Sequence, residues 1–503
     1  MDKQRKLGSV LAFINIFAKN GIYILYTPFL IHFIGQSSYG IFQLTTQITS
    51  TLSLLALGFS GAYVHFYWVE KKKSETNVSR LNAVYLIIFS GVSIVSLIIG
   101  YFLVDNVDTF FGSSFSPEEI GITKVLMIIM VINASINFIS TIFDSYIIAH
   151  QQFIFQQIRI LVSMLIQPFI VIPLIIFGFG VISVVLVQVV VAMSLMIING
   201  VYAVRTLNMK FDFHLKNNET IKPLFIFSLF LLGNDLVDII NNNIPGMLVG
   251  SLRGPEEAAV YAVVIQLRTI FFQFSLAIST MYVSQINELI TKRTDNRILL
   301  KKMISIGRTQ FILLLFVLGA FVIGGRYFIS MWAGPGFDEV YTLLLLTVAP
   351  VLVPLSQNVG IEIQRAKNLH KFRSISLLIV AIINIMITYF FLKNYNGIIG
   401  AFAGYIFSIV VGNGILINLY NHFVVGLDMV AYWKNVLPMI IPAGIAVLIG
   451  EIISSIWPIS GWIAFIAQLI VYSVVFIVVW YAFIAREFEK QFISKILYRF
   501  QSR

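Results

Sequence analysis

Residues 7–34 read LGSVLAFINIFAKNGIYILYTPFLIHFI. Lys19 is the single Lys, Arg, Asp or Glu in this run. A bilayer core of about 30 Å needs about 20 apolar residues at about 1.5 Å rise each, so the stretch is long enough to span a membrane as one helix. It follows the basic start MDKQRK, as a signal peptide would. No small-residue cleavage site closes a short apolar core, so the segment is expected to be retained as a first span.

Similar segments continue along the chain. They fall at about 41–68, 81–104, 124–149, 158–179, 181–204, 223–249, 258–287, 304–332, 340–364, 374–393, 397–421, 435–456 and 461–485. Most are apolar all round, as membrane helices are, and short alternating strands of a membrane barrel are absent. The whole chain agrees: of 503 residues, 58% are apolar and only 11% charged, with a mean hydropathy of +0.90. An ordinary soluble domain is about 25% charged. The expected fold is therefore an all-α integral membrane protein of fourteen transmembrane helices, and a soluble enzyme, a nucleic-acid binder and a disordered scaffold are excluded.

The net charge of +11 gives the orientation. With the N-terminus inside, 28 of the 34 Lys and Arg fall on inner loops or the tail, while only Lys124, Arg253, Arg326 and Lys393 flank outer loops. One missed span would scramble this asymmetry, so the positive-inside rule supports both the count and two cytoplasmic termini. Residues 486–503 place Phe488, Phe492, Ile493, Ile496, Leu497 and Phe500 on one helical face among basic residues. This tail is expected on the anionic inner leaflet, in contact with membrane lipids.

Two halves repeat each other. Ala149-His150-Gln151-Gln152-Phe153, then Arg159, answers Ala366-Lys367-Asn368-Leu369-His370, then Arg373, at a nearly constant offset. YGIFQL at 39–44 answers YAVVIQL at 261–267. Two parallel six-helix lobes are expected, at 1–215 and 216–425, followed by two extra helices at 426–485 and the tail at 486–503.

PFLIHFIGQSSYGIFQL at 28–44 and Asn396-Gly397-Ile398-Ile399-Gly400, in a fourteen-span basic-inside chain, resemble the polysaccharide-transporter branch of the multidrug/oligosaccharidyl-lipid/polysaccharide exporter superfamily. Gly254-Pro255-Glu256-Glu257 departs from the first-lobe pattern. The resemblance implies two lobes in a V around a central cavity. It implies a cargo of undecaprenyl-diphosphate-linked oligosaccharide, moved from the cytoplasmic to the outer leaflet of a bacterial cytoplasmic membrane by alternating access. It further implies O-antigen or capsule assembly, with the pathway's polymerase and glycosyltransferases as partners. The last two spans resemble the pair that forms a lipid-tail groove in lipid-flipping members; multidrug exporters usually have twelve spans.

Ionisable residues deep in spans are costly and face interior cavities. Lys19 and Arg268 are candidate cargo-binding cations, because a diphosphate needs cationic partners and arginine offers a fork. The alternative is pairing with a buried acid such as Asp144 or Glu362. Asp235 and Asp238 lie three apart on one face of the seventh span and are candidate coupling-ion ligands or ion-pair partners. In relatives, an acid there joins polar groups of the eleventh and twelfth spans around a cation, a role Asn384 and Asn413 would fill. His65 and Glu451 are weaker candidates. The carboxylate pair has no second motif for hydrolysis, and no catalytic residue is assigned.

Zero cysteines exclude disulfides and thiolate metal sites, and no phosphate-loop, HExxH or EF-hand motif occurs, so no metal or cofactor is expected. Two alternatives remain beside the flippase: a cation-coupled drug antiporter of the same superfamily, and a membrane enzyme of glycan assembly. The short acidic outer loop at 105–123, without arginine, speaks against the enzyme.

Overall fold

The computed structural model describes residues 2–56, 59–214, 228, 236–237, 239–292, 294–367, 369, 371–395, 397–487 and 489–490. Every regular element among them is helical. Hydrocarbon offers no water to backbone donors and acceptors, so each crossing segment must satisfy its own. Among the described residues, thirteen helical segments are long and apolar enough to cross a membrane, from Val10–Ile34 to Trp462–Ile484. Each overlaps one predicted span; of the segment predicted at 223–249, 13 of 27 residues lie outside the described residues, Asp235 and Asp238 among them.

The chain forms two compact units. The first comprises Met1–Ala262 with Thr388–Ala401. It contains α1 (Asp2–Ile34), α2 (Gln36–Thr51), α3 (Phe59–Lys71), α4 (Glu75–Asp105), α5 (Val107–Phe111), α6 (Pro117–Ala149), α7 (Phe153–Ile176), α8 (Gly180–Val201) and α9 (Ile244–Arg253). Helix α6 is its hub and packs on α2, α3, α4 and α8. Ser116 and Glu119 close a capping box around its first turn, with Pro117 at the start where a missing N–H costs nothing. Tyr63, Tyr85, Phe89, Ile142 and Tyr146 fill the core between α3, α4 and α6.

The second unit comprises Val263–Ile387 with Phe402–Arg503. Helix α10 (Pro255–Thr291) belongs to it from Val263 onward. There follow α11 (Asn296–Trp332), α12 (Glu339–Ser356), α13 (Asn358–Ala366), α14 (Lys371–Asn394, in this unit up to Ile387), α15 (Ile399–Phe407, from Phe402 onward), α16 (Ile417–Tyr420), α17 (Met429–Val436), α18 (Ile440–Ile456) and α19 (Trp462–Val479). Here α11 is the hub, packed on α12, α17, α18 and α19.

Several predicted spans are interrupted. The second breaks at a 3₁₀ turn, Leu52–Leu55. The preceding Thr/Ser run bonds back onto its own helix, with Thr46 on Phe42 O, Thr49 on Thr45 O and Thr51 on Gln47 O, a pattern that bends helices. The tenth is divided at Gln357 into α12 and α13, just after Pro350 and Pro354. The twelfth widens into π-helical turns at Ser408–Leu416 and Asn421–Val425. The thirteenth carries a 3₁₀ turn over Leu437–Met439, at Pro438.

Similar local geometry recurs in the two halves of the chain. Phe155 stacks on Tyr202 with ring centroids 3.8 Å apart, and its counterpart Phe372 stacks on Tyr420 at 4.5 Å. A π turn begins at or directly after each tyrosine, Tyr202–Thr206 in the first half and Asn421–Val425 in the second. A left-handed residue then ends the run, Asn208 (φ 55°) or Gly426 (φ 78°). At the start of the halves the matching points are Gly35 (φ 83°) and Gly254 (φ 96°), which open α2 and α10 in a backbone region that favours glycine. The equivalence runs through these glycines. Counting from these glycines sets Tyr39 against Ala258, three residues before the Tyr261 of the YGIFQL/YAVVIQL alignment.

Candidate transport site

Arg268 sits on α10 within the second unit, only 3% exposed. Its guanidinium carbon lies 3.8 Å from the centroid of the Tyr405 ring on α15. Stacking of this kind suits arginine, whose planar, weakly hydrated head tolerates burial better than an ammonium. Lys19 lies in the first unit, exposed on α1, with its ammonium 5.6 Å from the Tyr23 ring. One turn earlier Asn15 donates to Gln157 Oε1 (2.7 Å) and Gln157 O (2.9 Å), which fixes α1 against α7.

The acids proposed as alternative partners are engaged by other cations. Asp144 takes Arg159 at 2.7 Å, and Glu362 takes Arg365 at 2.8 Å. Arg159 also donates to Asn199, which in turn donates to Ser140. Placing Arg159 and Arg308 in inner loops therefore needs correction: α7 begins at Phe153 and α11 at Asn296, so both arginines lie well inside helices.

Asn384 is fully buried on α14. Asn413 lies in the π turn Ser408–Leu416, where its backbone carbonyl accepts from Asn418 Nδ2 at 3.2 Å. Asn418 completes a polar cluster that the sequence analysis missed. Its Nδ2 also reaches Gly414 O at 2.8 Å, and its Oδ1 accepts from Gln357 Nε2 (2.9 Å) and Trp433 Nε1 (2.8 Å). The amide thus covers carbonyls of the widened turn and ties the α12–α13 break to α17. His65 and Glu451 are both exposed.

Beside this cluster is an open groove of about 330 Å³. Pro350, Val353, Ile409, Val410, Gly414, Ile415, Trp433 and Leu437 line it, so α12, the π turn and α17 form walls that are almost wholly apolar. Only hydrocarbon would fill such walls without leaving polar groups unpaired.

A second missed feature is Arg308, 2% exposed on α11. Its Nε and Nη2 donate to both oxygens of Glu489 (2.8 and 3.0 Å), its Nη1 to Asn435 O (2.7 Å) and its Nη2 to Ile484 O (3.0 Å). The start of the tail is therefore held in the second unit by a buried ion pair; residues 491–503 lie outside the described residues. The signals were present: an arginine well inside a long apolar helix, and an acid in a mainly basic tail.

The family described as "Polysaccharide biosynthesis protein" matches residues 8–284, more than half the chain. The chain belongs to this family. No curated protein matches it significantly. Among solved structures, the lipid II flippase MurJ in an inward closed conformation is similar with a TM-score of 0.72 at 15% identity, covering 99% of this chain and 100% of that one. An inward-facing multidrug-resistance MATE family transporter of the MOP superfamily gives 0.56 at 13% identity, over 80% of this chain and 92% of that one. A Vibrio cholerae MATE transporter gives 0.54 at 13% identity, over 86% and 100%. At these identities the likeness is one of fold: a multi-pass membrane protein with the architecture of the superfamily that holds these transporters.

Proposed function

We propose that the chain is a flippase that carries a polyprenyl-diphosphate-linked oligosaccharide from the cytoplasmic to the outer leaflet of a bacterial cytoplasmic membrane, for assembly of a surface polysaccharide such as O-antigen or capsule. The observation that carries this reading is the presence, in one unit, of an apolar groove and a buried arginine. The groove suits a polyprenyl tail, and Arg268 suits the diphosphate, to which it would present a planar fork. Lys19 is proposed as a second cargo-binding cation. Asp235, with Asn384 and Asn413, is proposed as the coupling-ion set and Asp238 as its weaker companion. The seventh span at 223–249, which brings the count to fourteen, the lobes at 1–215 and 216–425, the extra pair at 426–485, the tail at 486–503 and two cytoplasmic termini belong to the same proposal, as do the pathway's polymerase and glycosyltransferases as partners.

Purified protein in liposomes with a fluorescent lipid-linked oligosaccharide tests the reading. Flipping should occur with wild type, vanish with Arg268→Ala at unchanged protein abundance, and return in part with Arg268→Lys. Asp235→Asn should abolish the response to imposed proton or sodium gradients, and Asp238→Asn should reduce it less. A wild-type protein that leaves the labelled lipid in place but exports drug cations would replace this reading with the antiporter.

A further inference from the structure

Three hydrogen bonds run in series at the end of α6 in the first unit. His150 Nδ1 lies 2.9 Å from Tyr146 O, His150 Nε2 lies 3.0 Å from Tyr67 Oη, and Lys71 Nζ donates to that same Tyr67 oxygen at 3.0 Å. The carbonyl of Tyr146 can only accept, so Nδ1 carries the imidazole proton. Nε2 is then an acceptor and Tyr67 its donor, which leaves the Tyr67 oxygen free to accept from Lys71. The chain of donors is complete only while the ring is neutral.

We propose that His150 is a proton-binding site whose occupation loosens the junction between the end of α6 and the turn that follows α8. A proton on Nε2 makes it a donor, so Tyr67 must accept from an imidazolium and an ammonium at once. Two cations on one oxygen repel, and Lys71, about one-third exposed, is the one able to leave, toward Glu75 4.0 Å away. Tyr67 is buried and rotates to follow the ring. Tyr146, whose carbonyl orients the ring, donates through its hydroxyl to Leu207 O at 3.3 Å, so the disturbance reaches the end of the π turn Tyr202–Thr206.

Of the other charged groups, only Glu75 favours the new charge, and it does so from an exposed position. Glu70 on α3 is occupied by Lys73 (2.8 Å) and Asn77 (3.1 Å). Glu75 at the start of α4 is mostly exposed, and Arg205 on the π turn is exposed. On α7, Arg159 is bound to Asp144. Burial holds the imidazole below its usual pKa near 6.5, opposed by its bond to Tyr146 O, with Lys71 lowering it and Glu75 raising it. A histidine depressed in the folded state is neutral at neutral pH, so the junction is complete above about pH 6.5 and weakens as pH falls through the folded value. The second half places Lys367 at the matching position, where it donates to Asn296 Oδ1 (2.6 Å) and Val425 O (3.2 Å). A lysine there stays charged across the same pH range, so only the first junction responds.

Hydrogen exchange on the purified full chain, at matched intrinsic rates between pH 7.5 and 5.5, tests this without reference to transport. Protection of the segment 202–210 should fall about three- to tenfold on acidification, the weight of one hydrogen bond, while 421–427 stays level. His150→Gln should remove the response of the first segment. Tyr67→Phe should remove it too, while leaving a histidine that still titrates by NMR. Lys367→His should make the second segment respond to pH. An equal acid response in wild type and His150→Gln, or in wild type and Tyr67→Phe, would overturn the proposal.

Discussion

The two junctions, one after α8 and one after α16, have the same construction and different chemistry. In both, a tyrosine stacks on a phenylalanine of the helix before it and directs its hydroxyl to a residue just ahead of that helix. Tyr202 reaches Gln152 Oε1 at 3.4 Å, whereas Tyr420 reaches Leu369 O at 2.9 Å. In both, an asparagine near the start of a long neighbouring helix holds the chain just beyond or at the end of the π turn. Asn82 Nδ2 donates to Lys210 O (2.9 Å), and Asn296 Nδ2 donates to Gly426 O (3.1 Å) and Val425 O (3.3 Å). The first is held by aromatic and histidine contacts that Lys71 joins through Tyr67, with Arg80 and Asp212 paired at its rim; the second by Lys367 on carbonyls. The repeat keeps the backbone geometry here and leaves the polar fastening free to differ.

The same contrast appears in the ion pairs, and breaking them gives the largest expected effect. Arg308 and Glu489 are 2% and 5% exposed at their side chains; Arg159 and Asp144 are 12% and 31% exposed. Removing one member of a fully buried pair costs about 3–5 kcal/mol. Arg308→Ala or Glu489→Gln should therefore lower the unfolding temperature strongly, and Arg159→Ala should lower it less, since water reaches Asp144. Thermal unfolding in detergent measures both. Replacing Arg308 by Met together with Glu489 by Leu should recover most of the loss, because no charge is then left buried.

Lys367→Met sharpens the comparison at the next level. It leaves Asn296 Oδ1 without its donor and Val425 O with Asn296 Nδ2 alone, which should cost about 1–3 kcal/mol. His150→Gln retains an acceptor for Tyr67 and should cost less at neutral pH. The smallest contrast is in the stacked tyrosines. Tyr420→Phe loses a 2.9 Å bond and should cost about 0.5–1.5 kcal/mol, whereas Tyr202→Phe loses only a 3.4 Å contact and should be nearer zero. Topology provides an independent check: reporters after Lys73, Lys216 and Arg373 should report the cytoplasm, and those near Ser114, Pro255 and Asn394 the exterior. An external signal at Lys216 would give the first lobe an odd number of spans and end the equivalence of the two junctions.

Hydrophobic length was readable in the sequence because a membrane span is a local property of about 20 consecutive residues. The interruptions were less readable. Thr45 to Ser53 scores as a polar patch on an apolar helix, and only the back-bonding of its hydroxyls turns it into a bend. The π turn at Ser408–Leu416 contains no proline and is stabilised from a distance, by Asn418 and its partners Gln357 and Trp433. Of the candidate site residues, Arg268 stood out as a charge inside a span, but Tyr405 could not be matched to it without the fold. Arg308 and Glu489 are 181 positions apart, and no local spacing predicts that pairing.

One close approach in the first unit is set by size. A Cβ on Gly40 of α2 would collide with Pro255 O, and α10 passes there with Ala259 facing it, while Gln36 Nε2 donates to Glu256 O at 3.2 Å. Gly40 and Ala259 are counterparts in the repeat, in the register that Gly35 and Gly254 set. Small side chains at both places let two helix starts touch backbone to backbone.

The Arg308–Glu489 pair also bears on how the chain is made. Arg308 emerges from the ribosome 181 residues before the carboxylate that neutralises it. At about 5–20 residues per second, roughly 10–40 s pass in between. During that interval the arginine has entered the membrane region on a helix that will later be enclosed, and it must keep water or lipid phosphate beside it until the last helices arrive. The second unit can therefore close only once Glu489 has been made. A nascent chain halted before residue 489 should remain open to proteases around α11 and α17, whereas its first unit has already finished folding.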